Sequence, residues 1–336
     1  MKKLLCLALL LTLLPLSLAF AQDAPLYTAI SKISGPVYAE MSKESDTVGR
    51  INPGASIDVY AIYPEWVYIA TGGEMGYVPR SYLYAGKAID KENTPPWGVV
   101  LYQYVGIAGS EGADILAGPQ ADAEVLIHLD PGARVSVMDA VDGWARVVYF
   151  RQYGYIDSNA LRELLPVSLD RAAATERAPI ATFTSYYYTD SDDEGVRGKE
   201  INIGVNCREM NGMILASGET LDYDAHFGPY GPVRNYVKGP VLLGYGWGLG
   251  PGGGVCQVSS TLYNVLLQLP GINIVHAQPH GSSGVAYLPI DMDAAVGNAA
   301  SAIDLIFRNE YDFDIRFEAL AQHGTLFIAL YRVTEE

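Results

Sequence analysis

The apolar positions of this chain fall into three regimes. From Leu4 to about Leu18 they form one unbroken run, behind Lys2 and Lys3 and ahead of Ala19-Phe20-Ala21. That layout, with a small-x-small triplet closing an apolar run shorter than the roughly 18 residues of a spanning helix, predicts a secretory signal over residues 1–21. From there to about residue 166, apolar and polar positions alternate in short segments such as Ser56-Ile-Asp-Val-Tyr-Ala-Ile62, Trp66-Val-Tyr-Ile69 and Arg134-Val-Ser-Val-Met138. Gly, Pro and Asp bound each segment, so the pattern predicts small antiparallel strands. In the third regime Val258, Leu262, Val265, Leu266 and Leu269 take helical spacing, predicting a helix over Cys256–Gln268 that Pro270-Gly271 stops. Ile203, Cys207 and Met210 predict a short helix ending near Asn211-Gly212. Strands are expected at Val285–Leu288, Ile303–Phe307, Ile315–Phe317 and Thr325–Tyr331.

The strand-rich part contains one unit twice. Pro53-Gly54-Ala55 recurs as Pro131-Gly132-Ala133, Trp66 as Trp144, Gly76-Tyr77-Val78 as Gly154-Tyr155-Ile156, and Leu83 as Leu161, all at one offset without a gap. A Pro-Gly turn, a strand, a Trp strand and a Gly-Tyr-Val strand leading to a final Leu describe a small β-barrel, and the order resembles the bacterial SH3-like domains of cell-envelope proteins. The resemblance covers residues 26–86 and 97–166, and implies modules that bind peptidoglycan peptides or orient a catalytic domain. Trp66 and Trp144 are core residues or ligand platforms, the core reading being the simpler for one Trp in a small barrel. Lys87–Pro96 reads as an exposed boundary and 167–180 as a linker. The fold class is therefore multidomain and mainly β: two small SH3-like barrels followed by an α+β domain over 181–336.

Composition narrows the partners. The formal net charge is −16, and loss of residues 1–21 with their two lysines takes it to −18. Nucleic acid needs a basic face and is excluded as a partner. With no second apolar run of spanning length, the mature chain is expected to be secreted or otherwise extracytoplasmic, without stable membrane insertion. Cys6 leaves with the signal. Cys207 and Cys256 remain, too few for a disulfide framework; Cys207 reads as a buried core thiol.

Candidate chemistry centres on Gly244-Tyr-Gly-Trp-Gly-Leu-Gly-Pro-Gly-Gly-Gly-Val-Cys256-Gln-Val-Ser-Ser-Thr-Leu-Tyr-Asn264. A glycine-rich loop lets backbone approach a ligand closely and delivers Cys256 to the first turn of a helix, where unpaired N–H groups and the helix dipole favour a thiolate. This run, with Ile201-Asn-Ile203, Met210-Asn-Gly-Met-Ile-Leu, Ser217-Gly-Glu219, Asp222-Tyr-Asp224, Gly228-Pro229, Pro279-His280, Asp293-Ala-Ala-Val296 and Asp304-Leu-Ile-Phe307, resembles the VanW family, named from glycopeptide-resistance gene clusters. The resemblance runs from about Thr182 to Arg332, and His280 falls on the family's Pro-His position.

A cysteine nucleophile needs a cation or base and an orienting group behind it. His280 is the candidate base, and Asp293, with Asp291 as a substitute, the orienter. This is the logic of papain-like and NlpC-type cell-wall peptidases, and it points to hydrolysis or transfer at peptide bonds of peptidoglycan. The competing class is a non-catalytic module in which Gly252, Gly253, Gly254, Gln257, Ser259, Ser260, Tyr245 and Trp247 hold a cell-wall peptide or glycan; Cys256 is then a small apolar plug and His280 a structural histidine. Gln257 offers an amide to an oxyanion, whereas Ser259 and Ser260 in the first turn are most simply helix caps. No cofactor is implied: the loop lacks a P-loop ending, and Cys256, His276 and His280 match no common zinc spacing. The acidic loop Asp190–Gly195 has Ile201 where an EF-hand needs its last Glu and reads as a solvated loop.

Overall fold

The computed structural model describes residues 24–63, 65–90, 94–189, 191–243, 246–280, 285–288, 292–297 and 302–334. The signal segment, Tyr245, Asp190 and Asp291 lie outside them. The chain is mainly β, arranged in several antiparallel sheets with three α-helices among the described residues: α1 (Glu194–Met210), α2 (Tyr223–Phe227) and α3 (Val255–Leu266). None of these helices is long and apolar enough to cross a membrane.

The first barrel is a seven-stranded antiparallel sheet in which Trp66–Thr71 and Glu74–Pro79 form the central hairpin. Alternation decides its faces: Val67, Ile69 and Val78 are fully buried against Val37 and Val59. Trp66 lies on the other face, half-buried and edge-on to Tyr38 at 5.7 Å, so it is not the core residue its size suggests. Trp144 is likewise half-buried. The second barrel pairs Trp144–Tyr149 with Gln152–Asp157 in a five-stranded sheet, and Arg134–Val137, Tyr104–Ala108 and Leu161–Pro166 in a three-stranded one. Both sheets enclose Ile115, Val135, Val147 and Ile156. The Lys87–Pro96 boundary is partly structured: Lys87–Ala88 pair with Tyr27 and Thr28 as an edge strand, and the Pro95 carbonyl accepts from the Tyr27 hydroxyl.

In the C-terminal region a four-stranded sheet runs Ala181–Tyr186, Thr325–Arg332, Ile315–Gln322, Ile214–Leu215. Its first two strands are buried along nearly their whole length on both faces: Leu326–Tyr331 is a continuous apolar run, whereas Ala181–Tyr186 buries Thr182, Thr184 and Ser185 among its apolar residues. The reason is that α3 covers one face and the second barrel the other. Val105 of that barrel packs with Phe327, Ala329 and Tyr331 as one cluster, and the Ser136 hydroxyl is 2.8 Å from that of Thr182. Arg134 reaches both carboxylate oxygens of Glu318, at 2.6 and 2.7 Å. Residues 167–180 are not a loose linker: the Val167 amide donates to Gln103, Ser168 to Pro179 and Ile180 to Leu330, and Ala174 is buried in the main core.

A three-stranded sheet (Thr220–Asp222, Leu305–Asn309, Ile272–Ala277) and the Lys238–Leu243/Gly246–Pro251 hairpin complete this region. The Asp190–Gly195 loop has a local role in folding: the Asp193 side chain caps α1 by accepting from the Val196 amide at 3.0 Å. Residues 285–288 are turn rather than the expected strand, because no neighbouring strand pairs with them among the described residues and the Leu288 amide instead turns back to Val285.

Candidate active site

Three consecutive glycines seat the start of α3, and each does so by close packing. A Cβ on Gly253 would come within 2.2 Å of the Gly239 backbone, one on Gly252 within 2.4 Å of Tyr230, and one on Gly254 within 2.9 Å of Lys199. The loop thus lies against the Lys238–Leu243 strand, Tyr230 and α1 on the side where a Cβ would project. Asn202 of α1, fully buried, donates from Nδ2 to the Gly253 carbonyl at 2.8 Å and to Val237 at 2.9 Å. Gly254 takes φ +110 as the residue before the helix, with no side-chain cap, and Cys256 follows as the second helical residue.

Cys256 is half-buried and free, as is the buried Cys207, whose thiol burial pushes well up. Its Sγ is 3.3 Å from the Val296 carbonyl and 3.5 Å from the Val296 amide, which donates to it. His280 follows the Ile272–Ala277 strand after Gln278 and Pro279. A single bridge, in which the Ala295 amide donates to Gln278 at 2.6 Å, pulls the two ends of the 280–293 loop together. His280 then donates from Nδ1 to Asp293 Oδ2 at 2.7 Å, and its backbone N–H donates to the same oxygen at 2.7 Å.

Burial opposes a charged imidazole, but the hydrogen bond it donates to the Asp293 carboxylate, with the Cys256 side chain as a second favouring neighbour, outweighs burial and raises His280 from 6.5 to about 9. Burial likewise opposes the Asp293 carboxylate, and the His280 contacts pull it below the usual range. With Nδ1 engaged by Asp293, Nε2 is the nitrogen left for the thiol. The structure pairs His280 with Asp293, while the Cys256 sulfur makes its hydrogen bonds with Val296 and acts on His280 as a charged neighbour.

The other candidates are distributed differently. Gln257, Ser259 and Ser260 are buried, at 1% exposure or less. Gln257 spends its amide on Ser185 Oγ and the Tyr186 carbonyl in the core sheet. Ser259 donates to the Ala294 carbonyl at 2.6 Å, Ser260 to the same oxygen while accepting from the Ala294 amide, and Asn264 to the Met292 carbonyl at 2.7 Å. These side chains tie α3 to the segment carrying Asp293 and Val296 instead of capping the helix. Trp247 is 72% exposed on its hairpin, cross-strand from exposed Leu242 and two residues from exposed Leu249.

Residues to which the sequence assigned no chemistry complete the surroundings. Asp224 accepts from the Gly297 amide with both oxygens at 2.9 Å and from the Tyr230 hydroxyl at 2.6 Å, fixing the chain beyond Val296. Lys199, lowered by burial to about 8, lies 5.1 Å from the ring of Tyr287. On α1 the available signal was Asn202 among the apolar residues of its buried face.

Among solved structures the chain is similar to an NlpC/P60 family protein from Bacillus cereus ATCC 10987 (11% identity over 41% of this chain and 56% of that one, TM-score 0.17). It is also similar to the endolysin LysPBC5 CBD (14%, 42% and 95%, TM-score 0.19) and to NlpC2 from Trichomonas vaginalis (11%, 93% and 99%, TM-score 0.18). Scores this low carry no weight for the site. The uncharacterized protein YoaR of Bacillus subtilis (strain 168) is 29% identical over 154 residues, 46% of this chain and 50% of that protein, so the chain spans about half the length of this relative. Residues 198–331 match the family model of VanW like protein and residues 109–163 that of the bacterial SH3 domain. The chain thus carries a VanW-like domain at its C-terminal end, preceded by a bacterial SH3 domain.

Proposed function

We propose that this is an exported cell-envelope protein that acts on peptidoglycan by thiol chemistry, with Cys256 as nucleophile, His280 as its acid–base partner and Asp293 as orienter. The observation that carries this reading is the 2.7 Å His280–Asp293 hydrogen bond, with the Cys256 side chain close enough to favour the charged form of the same imidazole. The VanW-like and bacterial SH3 domains support the wall as the setting.

A protonated His280 is the cation that a cysteine nucleophile needs beside its sulfur. The thiolate adds to the carbonyl of a peptide bond, and the carbonyl electron pair moves to oxygen near the N-terminus of α3, where the helix dipole favours developing negative charge. As the tetrahedral species collapses, the C–N bond breaks and His280 gives its proton to the departing amine. Neutral His280 then takes a proton from water or from an acceptor amine as that group attacks the thioester, releasing an acid or a new amide and restoring the thiolate–imidazolium pair. Asp293 holds the ring and its tautomer throughout.

The test is to incubate wild type and Cys256→Ser with purified peptidoglycans of several stem-peptide chemistries and read muropeptides by mass spectrometry. New or rearranged muropeptides with wild type alone support the reading; identical profiles throughout sink it. The exposed Trp247 favours a second reading, a non-catalytic binding module, in which Trp247→Ala lowers sedimentation with peptidoglycan and Cys256→Ser changes nothing.

A further inference from the structure

One hairpin occurs in both barrels at equivalent places. In the first, Gly72 and Gly73, with φ of +60° and +90°, join the Trp66–Thr71 and Glu74–Pro79 strands, and glycine adopts this left-handed backbone without strain. In the second, Phe150 and Arg151 join Trp144–Tyr149 to Gln152–Asp157, and Phe150 holds φ +53°. A bulky aromatic in that region is strained and persists only where its surroundings dictate it. Phe150 is held by Tyr149 at 4.8 Å and Tyr188 at 5.7 Å between ring centres.

The turn aims Arg151 out of the barrel. Its Nε donates to the Leu288 carbonyl and its Nη2 to the Val285 carbonyl, each at 3.0 Å. Those carbonyls lie in the middle of the chain that joins His280 to Asp293. Leu288 is fully buried in the main core, which also takes in Met138 and Val148 of the barrel. Tyr287, between the two carbonyls, lies where the charges of Cys256 and Asp293 push its hydroxyl further up beyond the effect of its burial.

We propose that Arg151 is a positioning residue for the thiol site: the second barrel reaches through it to fix the 285–288 turn and so the placement of His280 and Asp293 against Cys256. The proposal rests on the reading of Cys256 and His280 as the reacting pair. Two carbonyls held at once call for the planar fork of arginine, which a lysine ammonium reproduces only in part. In this account the barrel is a component of the site as well as a domain beside it.

The test uses the full chain in a Cys207→Ala background and follows alkylation of Cys256 by iodoacetamide across pH. Arg151→Ala should slow alkylation near neutral pH by about 10-fold and displace the profile to more alkaline pH, and Arg151→Lys should recover part of the loss. Arg134→Gln, which cuts the Arg134–Glu318 contact at the same interface, should leave the profile with the parent. Superimposable Arg151→Ala and parent profiles overturn the inference, as does an equal displacement by Arg134→Gln, which would mean general loosening of the interface. A parent that alkylates no faster than a free thiol overturns the reading of the site itself.

Discussion

His280 sits under opposed demands. Its surroundings remove water, which disfavours the imidazolium, yet Asp293 and Cys256 both favour it and win. The sign of the linkage follows. The folded group, at about 9, holds its proton more tightly than the unfolded group near 6.5, so its stabilisation is complete below roughly pH 6.5 and is lost as pH rises through about 9. Unfolding free energies of wild type and His280→Asn should therefore differ most near pH 6 and converge by about pH 9.5; a difference independent of pH contradicts the assignment. Asp293 behaves oppositely. Its lowered carboxylate contributes above the ordinary carboxylate range and ceases to do so as pH falls through its folded value. Asp293→Asn should slow Cys256 alkylation at neutral pH, read with Cys207 replaced so that label reports on Cys256 alone.

At the scale of elements, α3 is a scaffold with polar residues on both flanks. Gln257 and Thr261 hold the Ala181–Tyr186 strand, while Ser259, Ser260 and Asn264 hold residues 292–294. Asn264→Leu leaves the Met292 carbonyl unpaired in a buried place and should cost about 1–3 kcal/mol of stability by chemical denaturation. A loss confined to stability, with Cys256 alkylation unchanged, would show that the strap does not serve the site. The helix itself was legible in the spacing of Val258, Leu262, Val265 and Leu266, and so was the start of the motif at Cys256. The destination of the polar residues was not, because helical periodicity says which residues share a face and nothing about which loop that face meets. Pro279-His280 and Asp293 were readable as a pair by residue type. The turn at 285–288 was not: four apolar or small residues in a row look like a strand until an arginine from elsewhere takes their carbonyls.

Over the whole molecule, the second barrel and the VanW-like domain share apolar core. Tyr186 of the core sheet belongs to the barrel's cluster, Val105 of the barrel belongs with Phe327 and Tyr331, and Tyr102 packs edge-on to Phe183. The alternating strands of the barrel were evident in the sequence, yet alternation gave no hint of docking; the doubly buried Thr325–Arg332 strand did, as an unbroken apolar run. A fragment starting at 181 exposes that face, and we expect it to unfold non-cooperatively or aggregate, whereas one from 97 onward should unfold in a single transition monitored by Trp fluorescence and circular dichroism. A fragment from 181 as stable as the longer one would contradict a shared core.

The central claim, a thiolate held by His280 at the head of α3, is tested most directly by the pH–rate profile of Cys256 alkylation with and without His280→Asn, both in the Cys207→Ala chain. The account predicts that the parent reacts at about pH 6–7 at least roughly 10-fold faster than the His280→Asn variant, the two converging at alkaline pH. Two profiles that superimpose, both rising only where a free thiol ionises, would contradict it.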